Sequence, residues 1–248
     1  MNKEKYDIRY LDWDTNFFNK KSAKLILKKE ITDNDLTDIV KRVEQEDYAF
    51  ITIENENNIE KNNILISKLK NTFLADINIQ FQKKPDKKKG KCKCVYIENN
   101  YKNNQEIIDI AKQAFTYSRF TIDSNLKNGN LVHVQWAMNS FNKKEKYFIT
   151  YNEKSRIIGF ILFSISEEDN SIFLELIAVN QNDKNSGIGS KMLDELENFA
   201  IDNNIKYINV GTQVNNISAQ NFYIKNGFKH KENNSIYHWW RLNKEEKD

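Results

Sequence analysis

Between Leu174 and Gly227 the chain carries a pattern that few folds accommodate. The segment Leu174-Glu175-Leu176-Ile177-Ala178-Val179 reads as a buried strand with one carboxylate where an apolar residue costs less. A polar loop leads to Gly187-Ile188-Gly189, after which Met192, Leu193, Leu196, Phe199 and Ala200 recur at helical spacing. A glycine-rich turn that opens a helix aims unpaired main-chain N–H groups and the positive end of the helix dipole at one point, which suits a phosphate or diphosphate. Lys184 and Lys191 add charge there. Relief of close helix–strand packing is the purely structural alternative. The turn is not a dinucleotide fingerprint: a third glycine is missing, and the strand lies deep in the chain behind an antiparallel hairpin. No G-K-[ST] follows for a nucleoside triphosphate.

Glycine placement says where such a loop can lie. Of 7 glycines, only Gly90 and Gly129 precede Gly159, so a loop that wraps phosphate belongs to the second half of the 248 residues. That length allows one large or two small domains, and 39% hydrophobic residues with 15 Phe and 11 Tyr supply a core. The balance of 38 basic against 35 acidic side chains is too even for a protein that covers a nucleic-acid backbone. No stretch approaches the ~18 apolar residues of a membrane span, and Met1 to Lys5 do not open a signal peptide, so a cytoplasmic protein is expected. Cys92 and Cys94 build no disulfide framework, and with only His133, His230 and His238 beside them no metal site is expected. His133 and His230 read as structural.

The first half reads as a small α/β layer: strands at Tyr6 to Leu11, Lys21 to Lys28, Tyr48 to Ile53 and Thr72 to Gln82, and a helix from Asp33, its N-cap, to Glu46. The seven lysines between Lys83 and Lys93, broken by Pro85 and Gly90, read as a solvated loop rather than a nucleic-acid patch, because no aromatic is interleaved. A strand at Cys94 to Glu98, helices at Gln105 to Tyr117 and Leu131 to Phe141, and a hairpin of Lys146 to Tyr151 with Arg156 to Ser166 lead into the strand at Ser171 to Val179.

A second motif follows: a strand at Tyr207 to Thr212, then Asn216-Ile217-Ser218-Ala219-Gln220-Asn221-Phe222-Tyr223, a helix closed by Gly227 and a strand from Phe228. Together the two motifs resemble the GNAT superfamily of acyl-coenzyme A-dependent N-acyltransferases, with its [RQ]-x-x-G-x-[GA] loop and its N-x-x-A-x-x-[FL]-Y-x-x-x-G-F helix. Lys184 stands where that family usually has Arg or Gln.

The resemblance implies an α/β (α+β) fold with a mixed, mostly antiparallel central sheet splayed at the acyl-CoA site, in residues 118–248, preceded by a smaller α/β domain in 1–117. It implies acetyl-CoA or another acyl-CoA as cofactor. Ile177, Ala178 and Val179 offer main-chain groups to the pantetheine arm; Lys184, Asn185, Ser186, Gly187, Ile188, Gly189 and Ser190 cradle the diphosphate. Asn216, Ala219 and Phe222 hold the arm from the other side, and Tyr223 protonates the departing thiolate, with a plain core aromatic as the alternative reading. Glu175 is the candidate to take the amine proton, with an ion pair to a neighbouring strand as the alternative.

For the acceptor, Asp12-Trp13-Asp14-Thr15-Asn16-Phe17-Phe18, Ser118-Arg119-Phe120 and Trp136-Ala137-Met138-Asn139-Ser140 resemble the D-W-D-[ST]-x-F-F, S-R-F and W-x-x-N-S segments of dTDP-fucosamine acetyltransferases. Gly211 to Asn216 and Ile236 to Arg241 look like that family's equivalents, whereas Asn19 departs from its usual glycine. This likeness implies a dTDP-linked amino-dideoxy sugar as substrate, with Arg119, Phe120, Trp136, Gln213 and His238 on its side, and no nucleic-acid or membrane partner. Alternatives in the same fold are a 3-amino sugar, a longer acyl group, or a protein or polyamine acceptor; an acyl-CoA sensor is the non-enzymatic one. Trp239 and Trp240 are compatible with a homodimer interface or with core.

Overall fold

The computed structural model describes residues 5–116, 118–183 and 186–241. By contact the chain forms two compact units, each discontinuous in sequence: Met1–Ile79 with Asp123–Lys127 and Glu232–Asp248, and Gln80–Ile122 with Asn128–Lys231. The boundary expected between 117 and 118 therefore falls inside the second unit. The physical reason is that the strand and helix before residue 117 pair and pack with elements after it.

In the first unit, β1 (Tyr6–Tyr10) pairs antiparallel with β2 (Ser22–Leu27), and β2 pairs parallel with β3 (Phe50–Asn55). Parallel neighbours need a crossover, supplied here by α2 (Asp33–Gln45), whose Leu36, Ile39 and Val43 bury against the sheet residues Leu25, Ile51 and Ile53. The cap of α2 is Thr32, not Asp33: its Oγ1 accepts the Asp35 N–H at 3.2 Å while the Asp35 carboxylate accepts the Thr32 N–H at 2.9 Å. This reciprocal pair satisfies two donors, which Asp33 one position later does not. The D-W-D-T-N-F-F segment is α1 (Asp12–Phe18), and α3 (Glu60–Ile66) precedes β4 (Thr72–Lys83).

The last strand, β10 (Lys229–Trp240), returns to this unit and pairs antiparallel with β3 from Ser235↔Asn55 to Trp240↔Phe50. Trp239 is buried in the core of this unit, so the terminal aromatics are packing residues. His238, expected on the acceptor side, has no exposed surface: its Nδ1 lies 2.7 Å from Asp123 Oδ2, and Phe50 and Phe73 meet its ring edge-on. Trp240 Nε1–H donates to the same Asp123 oxygen at 2.9 Å. Burial pushes the Asp123 carboxyl up, but the hydrogen bonds from His238, Trp240 and the Asn125 main chain outweigh it and hold the group below the usual carboxylate range.

The second unit is built on an antiparallel run of β5 (Val95–Asn99), β6 (Lys146–Glu153), β7 (Arg156–Ser166) and β8 (Ser171–Val179), with β9 (Tyr207–Gln213) parallel to β8. Helices cover both faces. Alternate residues Phe148, Phe160 and Leu162 meet α4 (Gln105–Ala114) and α6 (Val132–Ser140), while Tyr147 and Phe163 meet Phe199 of α7 (Ile188–Asp202) at ring distances of 5.4 and 5.3 Å. The short helix α5 (Arg119–Ile122) and α8 (Ile217–Lys225) complete the unit.

The lysine-rich loop is fastened rather than merely solvated. Lys83 Nζ lies 2.7 Å from the buried Glu197 carboxylate, the Asp86 N–H donates to the same carboxylate at 3.2 Å, and the Lys89 N–H donates to Asn198 Oδ1 at 2.7 Å. Among the described residues no helix is long and apolar enough to cross a membrane, and no cluster of three or more His, Cys, Asp or Glu is arranged to hold a metal ion.

Candidate active site

Strands β8 and β9 pair from Ser171↔Tyr207 to Leu174↔Val210 and then part. Beyond Leu174 the β9-facing edge of β8, Glu175 to Val179, has no strand partner among the described pairings, so its main-chain groups are open to an amide-bearing ligand. Ile177 and Val179 are half-buried beside this opening. Ala178 turns its side chain into the core with α4 and α6, which leaves its main chain alone for any contact.

Helix α7 starts over the end of β8. A Cβ on Gly159 of β7 would lie 3.2 Å from both the Ala178 carbonyl oxygen and the Ile188 side chain, so this glycine permits the close approach. Gly187, the N-cap of α7, has φ +80° and no side-chain cap, and the space where its Cβ would stand is empty. The first-turn N–H groups, including those of Gly189 and Ser190, have no acceptor inside the helix and face this opening with the positive end of the helix dipole. Ser186 Oγ donates to the Asp183 carbonyl oxygen and Ile188 is buried. Lys184 and Asn185, expected in the same cradle, lie outside the described residues.

The third wall is α8. A Cβ on Gly189 would come within 3.0 Å of the Phe222 ring, so α8 approaches α7 at a point only glycine allows without a shift. Asn216 caps α8, its Oδ1 accepting the Ala219 N–H at 3.1 Å, which leaves the amide NH₂ to donate elsewhere. Tyr223 is 4% exposed and enclosed by Phe81, Phe222 and Phe228 at ring distances of 5.8, 5.6 and 5.6 Å. Burial pushes its phenol above the ordinary value of 10.0, and among the described residues its hydroxyl has no hydrogen-bond partner. The group therefore stays protonated across the working pH range.

Glu175 sits at an irregularity. Leu162 pairs with Leu176 and Phe163 with Leu174, so Glu175 is the extra residue of a β-bulge. In a regular strand it would point away from the face that Leu176 takes; the bulge brings both to the face covered by α4 and α6. There its carboxylate accepts from Trp136 Nε1–H at 2.8 Å and Ser164 Oγ–H at 2.6 Å and pairs with Lys146. The ion-pair alternative is thus what the structure holds. Behind Trp136, the rings of His133 and Phe115 follow near-parallel, at 6.4 and 5.0 Å. Burial, helped by the Arg119 charge, lowers His133 to about 4, so this ring is neutral.

The remaining acceptor-side expectations separate. The Arg119 guanidinium lies 4.2 Å over the Phe120 ring, and Phe120 is buried as a packing residue. Gln213 ends β9 half-buried, its carbonyl oxygen accepting the Asn216 N–H at 3.0 Å. The Trp136–Glu175 contact and the Asp123 pairing were not foreseen: the first depends on a bulge, the second on a partner far along the chain.

Two parallel strands that part beside a glycine-led helix, with a buried phenol on α8, form the candidate acyl-coenzyme A site. The chain belongs to the acetyltransferase (GNAT) family, which its residues 104–228 match. Members of that family are acyl-CoA-dependent N-acetyltransferases, and their fold binds acetyl-CoA. Among curated proteins, the chain is 26% identical over 140 residues to the spore coat polysaccharide biosynthesis protein SpsD of Bacillus subtilis, covering 56% of this chain and 48% of that one. It is 36% identical over 78 residues to the uncharacterized protein YxbD of the same organism, covering 32% and 46%. The chain thus spans about half the length of the curated relatives it matches. In fold it is similar to a conserved Staphylococcus epidermidis protein of unknown function (TM-score 0.67, 16% identity, 94% and 90% of the chains). It is also similar to a GCN5-related N-acetyltransferase of Sphaerobacter thermophilus (TM-score 0.59, 9% identity, 95% and 76%).

Proposed function

We propose that this chain transfers the acetyl group of acetyl-CoA to the amino group of a dTDP-linked amino-dideoxy sugar, in the cytoplasmic synthesis of a surface-polysaccharide precursor. The observation that carries the acyl-transfer reading is the parting of β8 from β9 beside Gly187 and Tyr223. The acceptor reading is supported by the likeness to SpsD, named for spore coat polysaccharide biosynthesis, and by the D-W-D-T-N-F-F, S-R-F and W-x-x-N-S segments.

The residues present fit acetyl-CoA. The open edge at Ile177 and Val179 suits the amides of a pantetheine arm, and Asn216 has donors to spare on the other side. Gly187, Ile188, Gly189 and Ser190 present N–H groups to a diphosphate, with Ser186 beside them. Bound there, acetyl-CoA supplies an activated thioester. Tyr223, neutral and without another partner, holds a proton for the leaving sulfur. A main-chain N–H on the open edge of β8 stabilises the oxyanion. Electronegative neighbours make a sugar amine less basic than an alkylamine, so a larger neutral fraction is on hand to attack, and the attacking nitrogen then yields its proton to water. Arg119 is the candidate partner for the nucleotide phosphates, with Gln213 and Trp136 beside the sugar.

The test is thiol release and acetyl mass gain with acetyl-CoA and a panel of amines. The 4-amino- and 3-amino-4,6-dideoxyhexoses linked to dTDP are expected to turn over faster than polyamines or peptide N-termini. Turnover of only a polyamine or a peptide overturns the acceptor assignment, and turnover of none overturns the enzymatic reading.

A further inference from the structure

The carboxylate of Glu175 is enclosed by protein donors. Only 3% of its side chain is exposed; Oε1 takes Ser164 Oγ–H and the Lys146 ammonium, and Oε2 takes the Trp136 indole N–H. A general base needs a lone pair directed at a water or an amine, whereas the donors on this carboxylate are all protein groups, and a proton gained here would leave the Lys146 ammonium without its counter-charge. The same contacts are what fixing an indole requires. Trp136 lies on α6 with 37% of its surface exposed, so it is not held by burial. It is held at two points instead: its ring backs onto neutral His133 at an interplanar angle of 16°, and its N–H is tied to Glu175. Glu175 is also the first residue of β8 past the point where β9 departs, so the tie connects Trp136 to the lip of the cleft.

We infer that Glu175 is a positioning residue, which fixes the Trp136 indole so that its exposed face forms the wall against which the acceptor lies when its amine attacks. The inference rests on the acetyl-transfer reading and on Trp136 standing on the acceptor side; it does not depend on the acceptor being a sugar. An indole face suits the C–H-rich side of a deoxy sugar, and a ring free to rotate would lose that contact and the alignment of the amine with it. Lys146 and Ser164 serve as supports that keep the carboxylate in place.

The experiment uses the full chain and whichever amine the wild-type protein turns over fastest, so a failure of the sugar assignment shows in the choice of amine. Glu175→Gln is built with Lys146→Met, so that no ammonium is stranded, the amide oxygen serves the indole and the NH₂ donates to Ser164 Oγ; the acceptor KM and kcat are expected within about threefold of the Lys146→Met parent, with the acid limb of the pH profile unmoved. Glu175→Ala is expected to raise the acceptor KM about tenfold or more with the acetyl-CoA KM unchanged. In a Trp136→Phe background, where the tie is already gone, Glu175→Ala is expected to add nothing further. A kcat loss of about 10²–10⁴-fold in Glu175→Gln with the acid limb gone makes Glu175 the base and overturns the inference. Additive effects of the two truncations overturn it as well. Thermal melts separate misfolding from either outcome, and the exchange-protected indole N–H signal of Trp136, kept in Glu175→Gln and lost in Glu175→Ala, reads the tie directly.

Discussion

Gly189 and Phe222 show how narrowly single residues set this cleft. The ring stands where a Cβ on residue 189 would come within 3.0 Å, so α7 and α8 meet at a spacing set by a hydrogen atom. Gly189→Ala is expected to push Phe222, and with it the helix that carries Asn216 and Tyr223, so that the acetyl-CoA KM rises about tenfold while the melting temperature changes little. Steady-state kinetics at saturating acceptor read this; an unchanged KM means that the contact does not shape the donor site. The glycines and Tyr223 were legible in the sequence because their spacing to neighbouring apolar residues is local. Glu175 was legible as an odd carboxylate but not as a tied one, because one extra residue in β8 relative to β7 reverses the side to which it points.

At the scale of elements, the hairpin of β6 and β7, strand β8 and helix α7 follow their sequence periodicity nearly residue for residue, since alternation and helical spacing are local signals. What periodicity hides is α7's polar burial. Glu197 and Asn198 sit next to the apolar stripe of Met192, Leu193, Leu196 and Ala200, and their partners lie in the lysine-rich segment about a hundred residues earlier. The helix thereby fastens the loop between β4 and β5. Glu197→Ala strands Lys83 and the Asp86 N–H, and is expected to cost about 3 kcal/mol, the lower end for a broken buried pair because Lys83 keeps some water. Urea denaturation measures that loss, and tryptic cleavage at Lys84 to Lys93 is expected to quicken alongside it. Unchanged stability and cleavage would mean that the loop is held by other contacts.

For the whole molecule, the two units do not follow one another along the chain. Every described residue assigned to the donor lies in the second unit, from Ile177 to Tyr223, whereas the D-W-D-T-N-F-F segment and His238 lie in the first. The sequence reading placed two layers in order along the chain, and the structure interleaves them: the last strand pairs with β3, and Asp123 to Lys127 join the first unit from the middle of the second. Such long-range pairings leave no periodic trace, which is why His238 read as an acceptor-side candidate although Asp123 holds it in the interior. The family's chemistry was legible because its residues cluster between Leu174 and Gly227. Tyr223→Phe in the full chain, with thiol release and coenzyme A affinity measured side by side, addresses that chemistry most directly. The account predicts a fall of about 10²–10⁴-fold in kcat with coenzyme A affinity retained, and, because burial raises the phenol above 10.0, no loss of wild-type rate from its ionisation as pH rises to that value. An unaltered kcat in the variant would contradict it.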